Sequence, residues 1–127
     1  MSSNIQGTTQ EQTIVFDQVD TNLGGGYSNT TGVFTAPVAG TYVFSLTFYM
    51  YYPSSSYASA GQLSIMQNNV QSLIVWLQLD SNANQGTASG TTVLSLNKGD
   101  HVYVKAVYAD MLIGGGNYSY FSGFLLG

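Results

Sequence analysis

A chain of 127 residues is long enough for one domain with a hydrophobic core, and it needs no metal or disulfide to fold. A hydrophobic content of 44% argues against disorder, and the absence of cysteine excludes disulfides and thiolate metal sites. With two lysines, no arginine and a net charge of −4, the chain lacks the basic surface that nucleic acids and anionic membranes require.

The first twelve residues are polar, and we expect residues 1–12 to form a loose N-terminal arm ahead of a globular domain at 13–127. They contain neither the basic start nor the apolar segment of a signal peptide. No stretch of about 18 apolar residues could span a membrane. The sequence therefore fits either a cytosolic protein or a mature form in which Met1 replaces a leader.

From Thr13 onward the sequence has the pattern of a β protein. Short runs rich in β-branched and aromatic residues are separated by clusters of Gly, Asn, Ser and Pro. The predicted strands are Ile14–Asp17, Gly32–Thr35, Gly40–Tyr52, Gly61–Gln67, Val70–Leu79, Gly90–Leu96, His101–Ala109 and Tyr118–Leu126. This number of short strands in one domain predicts an all-β sandwich or barrel.

The longest run alternates between two kinds of side chain. One row is apolar and is expected to face the core: Tyr42, Phe44, Leu46, Phe48 and Met50. The opposite row is half apolar and half hydroxyl: Val43, Ser45, Thr47, Tyr49 and Tyr51. Tyrosine is enriched where proteins meet, so Tyr49 and Tyr51 are candidates for a contact with another chain. A solvated face that carries two tyrosines fits this strand equally well.

Seven residues follow a spacing that resembles the signature of the C1q domain. They are Phe16, Asn22, Tyr27, Phe34, Gly40, Tyr42 and Phe44. The stretch at 32–42, Gly-Val-Phe-Thr-Ala-Pro-Val-Ala-Gly-Thr-Tyr, is similar to the family pattern G-x-F-x-A-P-x-x-G-x-Y. A second block follows the family order with Ala88-Ser89-Gly90, Leu94-x-Leu96, Gly99-Asp100-x-Val102 and Phe121–Leu126. Leu46 departs from the signature, which usually has Phe or Tyr there.

The resemblance implies a ten-stranded antiparallel jelly-roll sandwich of the C1q and tumour-necrosis-factor superfamily. It also implies that three copies pack around a threefold axis, which would shield apolar sheet surface. Relatives with collagen stems carry Gly-x-y repeats before the head, and the residues before Thr13 show no such period. We therefore expect a stemless head or a head cut from a longer chain.

The sequence does not indicate an enzyme. His101 is the single histidine, and the Gly99-Asp100 pair before it is typical of a turn that the aspartate caps. No Gly-x-Ser-x-Gly motif accompanies His101. Asp17 and Asp20 could serve glycoside hydrolysis only as a facing pair, which their spacing does not indicate. One histidine without cysteine also disfavours a zinc site.

Scarce charge and abundant tyrosine favour binding of neutral carbohydrate. Aromatic faces contact the C–H side of a sugar ring, while amides and hydroxyls bond its hydroxyl groups. The candidate ligand-binding residues lie in predicted loops or at strand ends: Tyr51, Tyr52, Tyr57, Tyr108, Asp110 and Tyr118. Each tyrosine could instead fill the core or a trimer contact. Trp76 lies in a strongly apolar run, and we expect it to be packed within a sheet face.

The resemblance also raises the question of calcium binding. In calcium-binding relatives, acids in the loop before the Ala-Ser-Gly segment meet near the threefold axis. Here Asp80 is the only acid of that loop, and Gly86 stands where those relatives carry an aspartate. Three copies of Asp80 with amide carbonyls could still build an all-oxygen site. The sequence thus indicates no certain cofactor and leaves calcium as a candidate ligand.

The resemblance and the uncharged loops together predict a secreted, trimeric pattern-recognition protein of innate immunity. It would be lectin-like and bind carbohydrate or microbial surface ligands, without nucleic-acid binding or membrane insertion. Glycosylation sequons at Asn29 and Asn117 give weak support for secretion. The alternatives are a structural assembly whose trimer is itself the function and a cytokine-like protein ligand that binds no sugar.

Overall fold

The computed structural model describes residues 4–16, 26–52, 59–79, 84–115 and 119–127. Ten strands lie in these ranges: β1 (Ile5–Gln6), β2 (Thr13–Ile14), β3 (Val33–Thr35), β4 (Gly40–Tyr51), β5 (Ala60–Gln67), β6 (Val70–Gln78), β7 (Gln85–Leu96), β8 (His101–Ala106), β9 (Leu112–Ile113) and β10 (Tyr120–Leu125). They form two five-stranded antiparallel sheets, which confirms the predicted all-β sandwich. The described part of the chain contains no helix that is long and apolar enough to cross a membrane.

Sheet A is built around β4. Along one side, β4 pairs with β7 over its full length, from Gly40 opposite Leu96 to Tyr51 opposite Gln85. Along the other side it pairs first with β10 and then, at its end, with β9. The short strand β1 extends the sheet beyond β9. One long strand therefore aligns the side chains of all its neighbours on a common outer face.

Sheet B is built around β8 and β5. These two strands pair with each other, β6 forms the edge beyond β5, and β2 and β3 lie on the far side of β8. The pairing of β5 with β6 shifts register between Ile65 and Met66. A β-bulge of this kind increases the local twist and re-aims side chains near the sheet edge.

The core between the sheets follows the predicted alternation of β4. Its five inward side chains are buried, and Phe44, Leu46, Phe48 and Met50 are 0% exposed. Phe44 packs against two aromatic rings from other strands, at centroid distances of 5.5 Å to Phe34 and 5.6 Å to Phe121. Burying each large apolar side chain contributes roughly 1.5–3 kcal/mol. Several of the residues that carry the C1q resemblance are thus core residues.

The sandwich is closed at one edge by the contact of β6 with β7. Leu73 and Leu77 of β6 pack against the core at this edge, next to the small residues of β7. A Cβ atom at Gly90 would lie 3.0 Å from Leu73 Cδ2, and one at Gly86 would lie 2.9 Å from Leu79 Cδ2. Gly90, the last residue of the Ala-Ser-Gly segment, therefore has a packing role, because it leaves space for Leu73.

The N-terminal segment differs from the loose arm that the sequence predicts. Ile5 and Gln6 pair with Ile113 and Leu112, which makes β1 part of sheet A. Thr8 is buried, and its hydroxyl donates to Tyr108 O (2.7 Å) and accepts from Met111 N (3.1 Å). A polar sequence can dock in this way because its hydrogen bonds are made to the exposed edge of the sheet.

Candidate functional site

The outer face of sheet A has an unusual composition, because none of the described strands of this sheet contains a charged residue. An apolar row crosses three strands near one end, where Val93, Val43 and Phe124 lie side by side in register. Val93 and Phe124 are exposed, with 58% and 43% of their surface accessible. Interface centres are depleted in charge and rich in apolar and aromatic groups, so this face suits a contact with another chain.

The middle of the same face is a band of small hydroxyl residues. Thr91, Ser45 and Ser122 form one row, and Ser45 Oγ and Thr91 Oγ1 are 3.0 Å apart and share a hydrogen bond. The next row is Ser89, Thr47 and Tyr120. Short side chains keep the surface flat, and their paired hydroxyls lower the cost of removing them from water.

The far end of the face contains a cavity of about 340 Å³. We call it the tyrosine–amide pocket, and its lining residues are Asn4, Tyr49, Tyr51, Asn84 and Gln85. The rings of Tyr49 and Tyr51 are tilted by 37° with centroids 5.9 Å apart, and Tyr49 OH donates to Gln85 Oε1 at 2.5 Å. The carbonyl oxygen of the Asn4 side chain accepts from Gly115 N at 2.7 Å.

Local contacts fix the position of Tyr49. Its backbone N–H donates to Ser119 Oγ at 2.9 Å, and its carbonyl accepts from Gly114 N at 2.8 Å. Gly114 also lies against the Tyr49 ring, since a Cβ atom at this glycine would be only 2.5 Å from Tyr49 Cδ1. The ring can therefore lie over the chain only because residue 114 has no side chain.

This arrangement suits the recognition of a small neutral polar molecule. Two aromatic rings offer apolar faces, and three side-chain amides offer donors and acceptors close to them. Sequence reasoning singled out Tyr51 and Tyr49 but did not identify Asn4, Asn84 or Gln85. Asn4 is 80 residues away from Asn84 along the chain, and only the pairing of β1 with β9 brings the N-terminal segment to the pocket.

The other predicted ligand residues lie elsewhere. Tyr52 packs against the hydrophobic core, and its N–H donates to Asn84 O at 2.7 Å. Tyr108 and Asp110 are exposed in the turn between β8 and β9, where Asp110 has a φ of 63° and its N–H donates to Thr8 O. None of these three residues lines the tyrosine–amide pocket. Tyr57, Tyr118 and Asp80, like Asp17, Asp20 and Asn117, lie outside the described residues.

The residues described at the start of β7 offer amide oxygens and no carboxylate to a calcium ion. Gly86 offers no side-chain oxygen and packs against Leu77 and Leu79. Asn84 and Gln85 supply amide carbonyls, which can ligate calcium beside carboxylates, and Asp80, the acid of the predicted site, lies outside the described residues. Across the ranges that the structure describes, no group of three His, Cys, Asp or Glu residues is placed to hold a metal ion.

His101 and Asp100 take part in a turn. The Asp100 carboxylate accepts from Asn97 N at 2.9 Å, which confirms the predicted capping role of this aspartate. His101 N donates to Asn68 Oδ1 at 3.0 Å, and its exposed side chain borders a shallow cavity of about 500 Å³ beside Tyr27 and Thr31. Asp100 is therefore engaged with the backbone of its own turn.

Trp76 differs from its predicted place within a sheet face, because it is 51% exposed. It lies on β6, the edge strand of sheet B, where Val75 faces the core. Successive residues of a strand point to opposite sides, so Trp76 and Ile74 project outward. The apolar run predicted a strand correctly, but it could not show that only one side of the strand is covered.

Comparison with known proteins agrees with the fold. The model of the C1q domain matches residues 1–126. The chain is 35% identical to a human complement C1q subcomponent over 119 residues, which is 92% of this chain and 44% of that protein. It is 30% identical to zebrafish (Danio rerio) Caprin-2 over 125 residues, which is 98% of this chain and 13% of that protein. The chain thus spans less than half the length of these curated relatives.

Solved structures show the same fold at low sequence identity. The globular domain of zebrafish complement 1qA protein has a TM-score of 0.64 at 21% identity, covering 98% of this chain and 96% of that one. Eiger TNF from S. frugiperda has a TM-score of 0.68 at 13% identity, covering 98% and 91%. With a family match over nearly its whole length, the chain belongs to the C1q domain family.

Proposed function

We propose that this protein is a homotrimeric, lectin-like recognition protein that binds neutral carbohydrate on microbial or other surfaces through the tyrosine–amide pocket. The observation that carries the proposal is the outer face of sheet A, whose described strands have no charged residue and which ends in that pocket. C1q and TNF-like domains are binding and signalling proteins, and such a role is consistent with extracellular innate immunity.

Self-association is supported by family and by surface composition. Domains of the C1q and TNF type form trimers. In this chain the row of Val93, Val43 and Phe124 would leave apolar surface in water unless another copy covered it. A ring of three copies covers the same patch on every subunit and closes without open ends. Tyr49 and Tyr51, at the pocket end of the face, would then lie at the margin of the contact.

The ligand chemistry follows from the groups around the pocket. A pyranose ring has a C–H face that packs on an aromatic ring and hydroxyl groups that bond to amides. None of the described strands of sheet A contributes a charge to attract an anionic sugar, and the net charge of −4 opposes one. Neutral hexoses and their oligomers therefore fit better than sulfated or sialylated glycans.

The proposal is tested by binding of the purified trimer to a glycan array, with calcium and again with a chelator. We expect binding to a related set of neutral glycans that free sugar competes. Gln85→Ala removes a pocket amide and should weaken binding by about tenfold, equivalent to about 1.4 kcal/mol. Asn69→Ala removes an exposed amide in the β5–β6 turn and serves as the matched control.

The array result also separates the alternatives. No binding by folded, trimeric protein would reject the carbohydrate proposal. Such a result would favour a structural trimer or a cytokine-like protein ligand. The specific observation behind these alternatives is apolar exposure outside the pocket, at Val70 and Leu126, which are 68% and 63% exposed. Loss of binding on Tyr108→Ala with Gln85→Ala unaffected would instead move the site to the β8–β9 turn.

A further inference from the structure

We propose a second carbohydrate subsite on the outer face of sheet B, with the indole of Trp76 as the platform for one neutral pyranose ring. This inference rests on the proposed carbohydrate recognition but places binding at a separate surface. We call this surface the Trp76 platform and define it by Trp76, Ile74, Gln62, Ser64 and Gln71.

The platform is exposed because of where β6 lies. Val75 is 4% exposed and faces the core, while Ile74 and Trp76, its two neighbours along the strand, are 52% and 51% exposed. Two large apolar side chains next to each other on the solvent side form a contiguous apolar patch, and such patches often mark binding sites. Sheet B also lies on the opposite side of the sandwich from the face that we assign to the trimer, so the platform would stay accessible.

Polar groups of fixed orientation flank the indole. Gln62 lies opposite Trp76 in the β5–β6 pairing, and Ser64 lies opposite Ile74. Ser64 is fully buried, and its hydroxyl donates to Gln71 Oε1 at 2.7 Å and accepts from Gln62 Nε2 at 3.2 Å. These bonds leave the Gln62 carbonyl oxygen as an acceptor and the Gln71 amide nitrogen as a donor for a ligand.

The charges near the platform cancel. Lys105 lies opposite Ser64 in the β5–β8 pairing, and its ammonium is 2.6 Å from the Glu11 carboxylate. A paired lysine offers little net charge to an anionic ligand, so electrostatics favour a neutral one. An aromatic ring with a fixed amide donor and acceptor matches the C–H face and hydroxyl edge of a pyranose ring. A purely apolar ligand would leave both amides without partners, which costs free energy.

Intrinsic fluorescence tests this inference directly, because Trp76 is the only tryptophan in the chain. The probes are cellohexaose, N-acetylchitohexaose and mannohexaose, three neutral oligosaccharides with equatorial-rich rings, titrated into the trimer. We expect a saturable change in the intensity or wavelength of Trp76 emission with at least one of them. A response that survives in Gln85→Ala belongs to the Trp76 platform and not to the tyrosine–amide pocket.

Substitutions complete the test through a readout other than fluorescence, such as calorimetric titration. Trp76→Ala should weaken binding of the same oligosaccharide by about tenfold, or about 1.4 kcal/mol. Trp76→Phe should retain part of the affinity. Gln62→Ala should bind the oligosaccharide several-fold more weakly, because it removes a hydrogen-bond acceptor. Val70→Ala is the matched control, since it removes exposed apolar surface on the same strand away from the platform.

The outcomes distinguish this inference from the proposed function. Glycan binding that Gln85→Ala abolishes, with no change in Trp76 emission, would leave the tyrosine–amide pocket standing and overturn the platform. An emission response and loss of binding on Trp76→Ala, with Gln85→Ala unaffected, would support the platform and reject the pocket. Dissociation of the trimer on Trp76→Ala would assign the indole to a subunit contact and overturn the subsite.

Discussion

At the scale of single residues, the tyrosine–amide pocket depends on Gly114, which has no side chain. Gly114 lies against the ring of Tyr49, and its backbone accounts for one of the bonds that hold β4 in place. Its φ is not among the positive values found at other glycines, so the reason for glycine here is space and not backbone conformation. The sequence shows a glycine triplet at 114–116, but only the structure shows that Gly114 leaves space for the ring of Tyr49.

We predict that Gly114→Ala lowers both carbohydrate affinity and stability. The new methyl group would lie 2.5 Å from Tyr49 Cδ1, so the partly exposed ring must move and its bond to Gln85 weakens. Expected losses are about 1 kcal/mol in unfolding free energy and several-fold in affinity, measured by thermal unfolding and calorimetric titration.

Tyr49→Phe separates ring position from hydrogen bonding in this prediction. It keeps the ring but removes the hydroxyl that donates to Gln85 Oε1. A Gly114→Ala variant that binds as tightly as the wild type would show that the position of the Tyr49 ring does not matter. Equal losses of affinity in Gly114→Ala and Tyr49→Phe would indicate that the hydrogen bond from Tyr49 OH to Gln85 accounts for the effect.

At the scale of elements, sequence periodicity predicted β4, β5 and β6 well, but it placed the start of β7 at Gly90, five residues after its observed start at Gln85. The alternation in β4 predicted its buried face, because Tyr42 through Met50 are apolar at every second position. β1 and β9 were missed because two residues are too few to show a period, and their pairing is set by tertiary contacts. The exposure of Trp76 was missed because an apolar run does not reveal that only the side of β6 that carries Val75 is covered by the core.

The β6–β7 edge gives a test of packing against strand propensity. Valine favours strands more than glycine does, so propensity alone predicts that Gly90→Val is stabilising. A Cβ atom at residue 90 would lie 3.0 Å from Leu73 Cδ2 and 3.1 Å from Val75 Cγ2, and two further methyl groups have no space. We expect Gly90→Val to lower the unfolding free energy by about 1–3 kcal/mol, with Gly90→Ala affected less.

Chemical denaturation of the two variants measures this difference. Thr35→Val is the control, because Thr35 is exposed at the end of β3 in sheet B, outside the face that we assign to the trimer. It should change the unfolding free energy by no more than about 0.5 kcal/mol. Stabilisation by Gly90→Val would mean that Leu73 and Val75 can move aside and that the edge is loosely packed.

At the scale of the whole molecule, the distribution of charge distinguishes the two sheets. All eight charged residues lie outside the described strands of sheet A, and Lys105 of β8 is the only one within a described strand of sheet B. Neutral faces of identical chains can meet without burying unpaired charge, which would cost several kcal/mol for each ion. The scarcity of charge that first excluded nucleic acids thus also supports assembly through sheet A.

Val43→Asp tests this assignment at the centre of the apolar row. Val43 lies between Val93 and Phe124, so a carboxylate there would meet apolar surface, and three copies would repel one another around a threefold axis. We expect a folded monomer by sedimentation and circular dichroism. Ile74→Asp makes a comparable change on the outer face of sheet B, where Ile74 is 52% exposed, and should leave the trimer intact. If Ile74→Asp dissociates the trimer and Val43→Asp does not, the subunits meet through sheet B, and the Trp76 platform becomes part of that contact.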